Sequence, residues 1–260
     1  MNLRKAKVIK FYSENFDESN DDIAVEYPLT VWVNGEELLT LVCSPGNLKE
    51  LVIGILASEG FIRSLDQIES LSIDYSKGFA YVELVKKSPI LNKDLTKRYL
   101  GSCCGKSRQL FLYNDVKTAK TIMTRTMISV QQCLSLMEKM QTCSAEFLLT
   151  GGLHNAALCT KEGVVIVRSD IGRHNALDKI YGHCLKNRIS LKDKVIVFSG
   201  RISSEVLLKV SKIGVGIILS KSAPTSLALE LADELGITAV GFIRENRLNI
   251  YTHPERIVEI

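Results

Sequence analysis

The chain has 260 residues, 46% hydrophobic and 24% charged, the balance of a folded protein with a substantial core rather than a disordered one. Lys and Arg outnumber Asp and Glu by 33 to 29, a net charge of +4, too small an excess for a general nucleic-acid binder. No apolar run approaches the ~20 residues that span a bilayer, and Met1 to Asn15, with Arg4, Lys5, Lys7 and Lys10, lacks the continuous apolar stretch of a signal peptide. The expectation is a cytoplasmic protein with neither nucleic acid nor membrane as partner.

In chain order, Leu29 to Val33 and Glu37 to Cys43 flank Asn34-Gly35, the pair that best accommodates the positive φ of a tight hairpin. Asn47 with Glu50 three residues on reads as a helix start, the helix ending near Gly60. Strands near Ser70 to Asp74 and Phe79 to Leu84 follow, separated by Ser76-Lys77-Gly78. These first ~90 residues read as a meander plus one helix, an α+β arrangement. Lys86 to Arg98 is polar, with Pro89 and Asn92, and reads as a loop. Ser129 and Gln132 form a second capping pattern, and Val130, Cys133, Leu134, Met137 and Met140 keep helical spacing behind it.

From Leu148 onward strands alternate with helices. Strands near Asn155 to Leu158 and Val164 to Arg168 pair around Lys161-Glu162-Gly163. Helices are expected near Asn175 to Asn187, Ser204 to Ile213 and Thr225 to Leu235, with strands at Val195 to Phe198, Val215 to Leu219 and Thr238 to Phe242. Such alternation predicts an α/β domain with a mostly parallel sheet and helices on both faces. The division expected is a smaller N-terminal α+β lobe over 1–125 and an α/β domain over 126–260.

In open α/β sheets, ligands bind beyond the carboxyl ends of the strands. The exits here are Ser169-Asp170-Ile171-Gly172-Arg173-His174, Ser199-Gly200-Arg201, Ser220-Lys221-Ser222 and the Ile243-Arg244-Glu245-Asn246-Arg247-Leu248 segment. Each offers a cation, small polar side chains or a helix start, the elements of a phosphate site. A Ser or Thr at one such exit is accounted for by helix capping alone; four exits of this kind along one edge point to a ligand with several phosphates. Gly151-Gly152-Leu153-His154 adds a flexible backbone and a His beside the same sheet. No Walker sequence and no Gly-x-Gly-x-x-Gly is present, so ordinary ATP or NAD binding has no support.

Seven cysteines, an odd number, argue against a disulfide framework. Cys43, Cys133 and Cys159 lie in apolar periodic segments and read as core. The pair Cys103-Cys104, followed by Gly105, Lys106, Ser107 and Arg108, is different. Cations lower a thiol pKa from about 8.5 and favour the nucleophilic thiolate. His154 is followed by Asn155-Ala156 rather than x-Glu, and no cysteine pair has the Cys-x-x-Cys spacing, so the zinc deaminase signature is missing; no metal bound directly by the protein is expected.

These residues together resemble the formate dehydrogenase accessory sulfurtransferase (FdhD/NarQ) family. The likeness runs from about Pro28 to Arg256, through Cys104-Gly105-Lys106, Thr150-Gly151-Gly152-Leu153-His154-Asn155, Asp170-Ile171-Gly172-Arg173-His174-Asn175-Ala176-Leu177-Asp178-Lys179, Ser199-Gly200-Arg201 and Lys221-Ser222-Ala223-Pro224-Thr225. The resemblance implies a cytidine-deaminase-like core, a homodimer and a cysteine persulfide intermediate. It also implies a sulfurtransferase that moves sulfur from a cysteine desulfurase to the molybdenum bis(guanine dinucleotide) cofactor of a formate dehydrogenase. The family's cofactor-binding segment falls on Ile243 to Leu248. Family members commonly carry Cys-x-x-Cys whose second cysteine aligns with Cys104; the first falls at Gly101, and Cys103 is extra. Cys104 is therefore the expected carrier, with Cys103 as the possible stand-in. Arg173, Arg201, Lys221, Arg244 and Arg247 are expected to hold pyrophosphates, with His154, His174 and Ser222 beside them. The alternatives are a non-catalytic cofactor chaperone for the apo-dehydrogenase, which needs no thiol, and a nucleotide hydrolase or deaminase.

Overall fold

The structure is a computed structural model that describes residues 2–86 and 119–259, with 98–100 described by their backbone. It begins with a hairpin the sequence reading did not place: β1 (Leu3–Tyr12) pairs antiparallel with β2 (Asn15–Ala24). Its turn, Ser13 and Glu14, takes φ of 45° and 76° without Asn or Gly, which is why no turn signal announced it. Basic β1 faces acidic β2 in register, Lys5 opposite Asp22 with Nζ 2.8 Å from the carboxylate.

β3 (Tyr27–Val33) and β4 (Glu36–Cys43) form the expected hairpin, with Asn34 and Gly35 at φ 51° and 82°. Helix α1 (Leu48–Ser58) follows, but Asn47 stands in the left-handed region and its side chain makes no capping bond. β5 (Ile68–Asp74), β6 (Phe79–Leu84) and β7 (Arg98–Leu100) complete a sheet ordered β5-β6-β3-β4-β7. β6 lies parallel to β3 and β7 parallel to β4, so this sheet is not the expected meander. The crossover through α1 returns the second hairpin beside β3.

β8 (Ile128–Ser129) leads into α2 (Val130–Thr142), where Ser129 and Gln132 cap each other's backbone N–H groups as expected. α3 (Ala145–Thr150) then precedes β9 (His154–Cys159) and β10 (Val164–Asp170). The rest alternates: α4 (Arg173–Lys186), β11 (Val195–Phe198), α5 (Ser204–Ile213), β12 (Ile217–Ser220), α6 (Ser226–Leu235), β13 (Thr238–Arg244), β14 (Arg247–Ile250). β15 (Ile257–Val258) closes the chain against β8.

The main sheet has the order β10-β9-β11-β12-β13-β14. Only β11–β12 and β12–β13 are parallel; the pairs β10–β9, β9–β11 and β13–β14 are antiparallel. The expectation of a mostly parallel sheet is therefore corrected to a mixed one. The turns after β9 and β13 are too short for the dozen or more residues a parallel crossover needs. β13 also runs past Phe242 to Arg244, and Ile243–Leu248 is a strand end, a turn and a second strand rather than a loop.

Helices cover both faces, as expected. Alternate residues of each central strand go to opposite sides. Ala157, Cys159, Val195, Val197, Ile217, Leu219 and Val240 pack against α2. Ala156, Leu158, Ile196, Phe198, Ile218 and Ala239 join α4, α5 and α6 in a cluster that continues through α1 into Leu29, Val31 and Leu41. The two halves of the chain thus share one core. Their seam is the α1–α4 crossing, where a Cβ on Gly54 would overlap the Asp178 carbonyl and one on Gly182 that of Glu50. Across it Arg168 donates Nε and Nη2 to Glu50, and His183 Nδ1 lies 2.9 Å from the same carboxylate. Burial alone would raise Glu50; the bonds from Arg168 and His183 outweigh it and hold the carboxyl below its ordinary 4.5.

Candidate functional site

Because β9 is antiparallel to both neighbours, the carboxyl ends of β10, β11, β12 and β13 and the amino end of β9 share one edge of the sheet. Three helices begin there: α4 at Gly172, α5 at Ser203 and α6 at Thr225. Their N-termini bring free N–H groups and the positive ends of three helix dipoles to that edge. The loops after β11 and β12 are tied together, Ile202 N donating to Ala223 O and Thr225 N to Ile202 O. Strands sit ~4.8 Å apart, so the exits of β10 and β13 lie about 19 Å from each other. A ligand touching both must be long.

The edge has two sides. His154, Arg173 and His174 gather on the side of α4 and α5. A Cβ on Gly200 would sit 3.5 Å from His154 Nδ1, so the missing side chain keeps the imidazole's approach open. Burial, then the nearby Arg173 and His174, push His154 below its ordinary 6.5, leaving a neutral ring at pH 7. His174 Nε2 is 3.1 Å from Glu205 Oε2, yet poorly aligned for a hydrogen bond; the contact still holds the Glu205 carboxyl below its ordinary range. On the α2 side, Lys221 Nζ donates to Gln141 Oε1 at 3.3 Å, and Ser222 Oγ to Ser199 O at 3.2 Å. Ser169 Oγ donates to Asn155 Oδ1, and Asn155 N to Ser199 Oγ.

Burying a polar atom without a partner costs about 1–3 kcal/mol, so such atoms need an explanation. Among the described residues five buried side-chain N or O atoms make no hydrogen bond, and three belong to this edge: Asn155 Nδ2, Arg173 Nε and His174 Nε2, the last still within 3.1 Å of the Glu205 carboxylate. All three are nitrogens able to donate. Asn155 is 0% exposed. The arrangement suits an anionic, acceptor-rich ligand.

Across residues 24–258 the chain matches the model of the FdhD/NarQ family. The chain belongs to that family. A sulfur carrier protein FdhD of Geobacillus kaustophilus is 55% identical over 98% of this chain and 97% of its own, and one of Bacillus subtilis 56% identical over 97% and 96%. A crystal structure of a candidate formate dehydrogenase accessory protein from Desulfotalea psychrophila superposes with a TM-score of 0.80 at 23% identity, covering 99% of this chain and all of that one. That likeness speaks for the fold.

In this FdhD/NarQ protein the residues singled out from sequence are distributed as follows. Arg201, Arg244, Glu245, Asn246 and Arg247 are exposed along the edge, Arg244 opposite Arg247 across a turn with Glu245 at φ 48°. Ile243 is buried against α2 with Leu248 packed beside it, so Ile243 offers a ligand only its backbone. Cys103 and Cys104 lie outside the described residues. Cys43, Cys133, Cys159 and Cys184 are buried, and burial pushes each thiol up to about 12; none is a nucleophile at neutral pH. Among the described residues no helix is long and apolar enough to cross a membrane.

Sequence reasoning missed Asn155 and Glu205, and assigned no role to Asp170 or Lys179. Lys179 gave a usable signal: a cation between Ala176 and Ile180 on the apolar stripe of a helix needs a buried partner. That partner is Asp170, 2.7 Å away with both side chains at 0% exposure.

Proposed function

We propose that this protein is a sulfur carrier whose Cys104, with Cys103 beside it, takes sulfane sulfur from a cysteine desulfurase. It passes that sulfur to a molybdenum bis(guanine dinucleotide) cofactor held along the strand-end edge, for the benefit of a formate dehydrogenase. The observation that carries this reading is near-full-length likeness, above 50% identity, to relatives named sulfur carrier proteins. The edge supports its ligand half. Unpartnered donors, three helix N-termini and a span of about 19 Å suit a long ligand bearing pyrophosphates at both ends.

In the first step a thiolate attacks the terminal sulfur of the desulfurase persulfide. A new S–S bond forms on this protein, and the desulfurase cysteine leaves as a thiolate. The cations at the exits bind and orient the phosphates, and neutral His154 adds a ring nitrogen for a hydrogen bond. The core is of the cytidine-deaminase-like kind, a reading supported by the β9–β10 hairpin leading into the parallel β11–β12–β13 run. The protein works in the cytoplasm as a homodimer.

Incubation with a desulfurase and cysteine, followed by peptide mass spectrometry, tests the carrier. The expected adduct is ~32 daltons, one sulfur on a reactive thiolate, on the peptide holding Cys103 and Cys104, and it disappears in Cys104→Ala. Full loading of Cys104→Ala moves the role to Cys103. Intact dehydrogenase activation in cells with both cysteines replaced contradicts the carrier and favours a cofactor chaperone.

A further inference from the structure

Asp170 ends β10 two residues before the turn that presents Arg173 and His174, and its carboxylate is fully occupied. Oδ1 accepts from Gly172 N at 2.8 Å and Asn175 Nδ2 at 2.9 Å; Oδ2 accepts from Ser44 N at 3.0 Å and is paired with Lys179 Nζ. Two of these donors belong to the turn itself, while Ser44 belongs to the N-terminal half, just past the end of β4. The contact is repeated in the other direction. Ile171 N donates to Ser44 Oγ at 3.1 Å, Lys179 Nζ to Ser44 O at 3.2 Å, and Asn175 Nδ2 to Val42 O at 3.1 Å. Lys179 Nζ also reaches Ser169 O at 3.1 Å.

Four polar links therefore join the end of β4 to the stretch 170–179, and the Ile171 and Gly172 N–H groups at the turn each have a fixed partner. A buried ion pair is costly to assemble and adds little net stability over an apolar pair. What this one adds is geometry: it sets the direction in which α4 starts, and so where Arg173 and His174 stand. We propose that Ser44, Asp170, Asn175 and Lys179 are positioning residues, a joint through which the N-terminal half of the chain holds the Gly172–His174 turn in its ligand-binding shape. The proposal rests on the strand-end edge being a ligand site.

Ser44→Ala removes the Oγ bond to Ile171 N, and Asn175→Ala the bonds to Val42 O and Asp170, without touching Arg173 or His174. Two readouts are taken on the full chain: native-state hydrogen exchange at the Gly172 and Ala176 amides, which bond to Asp170 Oδ1 and Gly172 O, and affinity for guanosine diphosphate. Both variants are expected to speed exchange at those amides and to weaken the nucleotide about tenfold, the effect of one mispositioned hydrogen bond. Their double variant falls well short of the product, because both act on one network. Arg168→Met, which breaks the seam elsewhere, lowers stability without changing either readout. Unchanged exchange in both single variants, or equal acceleration in Arg168→Met, overturns the joint. A wild-type protein that fails to bind the nucleotide removes the ligand reading instead, and the exchange result still decides whether Ser44 and Asn175 hold the turn.

Discussion

Within six residues at the end of β10 the chain treats charge in two opposite ways. Asp170 is sealed from solvent and saturated with donors, Lys179 among them; Arg173 is half-buried with its Nε left over, and His174 Nε2 is only poorly aligned with Glu205. The first pattern is what a buried charge requires to be tolerated at all. The second is a standing cost, since a buried donor without an acceptor destabilises the fold. A fold that saturates one group and leaves its neighbours open separates architecture from function along a single loop.

The comparison is broken most directly on its saturated side. Lys179→Met leaves the Asp170 carboxylate buried without its counter-ion and is expected to cost about 3–5 kcal/mol in urea unfolding. Adding Asp170→Asn should recover much of that loss, and a double variant no more stable than Lys179→Met contradicts the pairing. The same logic applies at the seam, where Arg168→Met leaves the Glu50 carboxylate with His183 alone, at a cost of about 3 kcal/mol. Glu50 sits below its ordinary 4.5, so its contribution is complete above that pH and fades as pH falls through the lower folded value. Unfolding followed between pH 6 and 3 should show the wild-type advantage over Arg168→Met shrinking on the acid side.

The open side should behave differently. Arg173→Ala removes an unpaired donor, so its stability change is expected within about 1 kcal/mol of zero. Ligand affinity is expected to fall tenfold or more, as when a charged hydrogen bond is lost. A smaller effect comes from His154. Its folded value lies below 6.5, so stability is greatest above pH 6.5 and declines as pH falls through the folded value. His154→Gln should flatten that decline in thermal melts between pH 7.5 and 5. The smallest is the exposed Lys5–Asp22 pair of the β1–β2 hairpin, where Lys5→Ala should change stability by no more than about 0.5 kcal/mol.

Much of the second half was legible because its signals are local. The Ser129–Gln132 cap, the β11 and α5 spans and the strand-end exits all follow from periodicity and capping. Strand direction was not legible in the same way: a helix between strands implies parallel pairing, but the tight turns at Lys161–Gly163 and Glu245–Asn246 reverse it. The β1–β2 hairpin was missed because Ser13-Glu14 carries no turn chemistry, although facing basic and acidic strands held a faint cross-strand signal. For the site, residue types at the exits pointed to an anion. Which of them would be consumed by the fold depends on tertiary contacts: Lys221 is drawn to Gln141, Ile243 to the core, and Asp170 to Lys179 and Ser44. No spacing in the sequence reports those.

The central claim is that the unsatisfied edge, rather than any other surface, receives the phosphate-bearing ligand. Hydrogen-exchange mass spectrometry of the wild-type protein with and without guanosine diphosphate addresses it in one experiment. Protection is predicted within residues 154–155, 171–175, 199–204, 220–226 and 243–248, with the rest of the described residues unchanged. Protection confined to other segments, or none at nucleotide concentrations that saturate binding, would contradict the account.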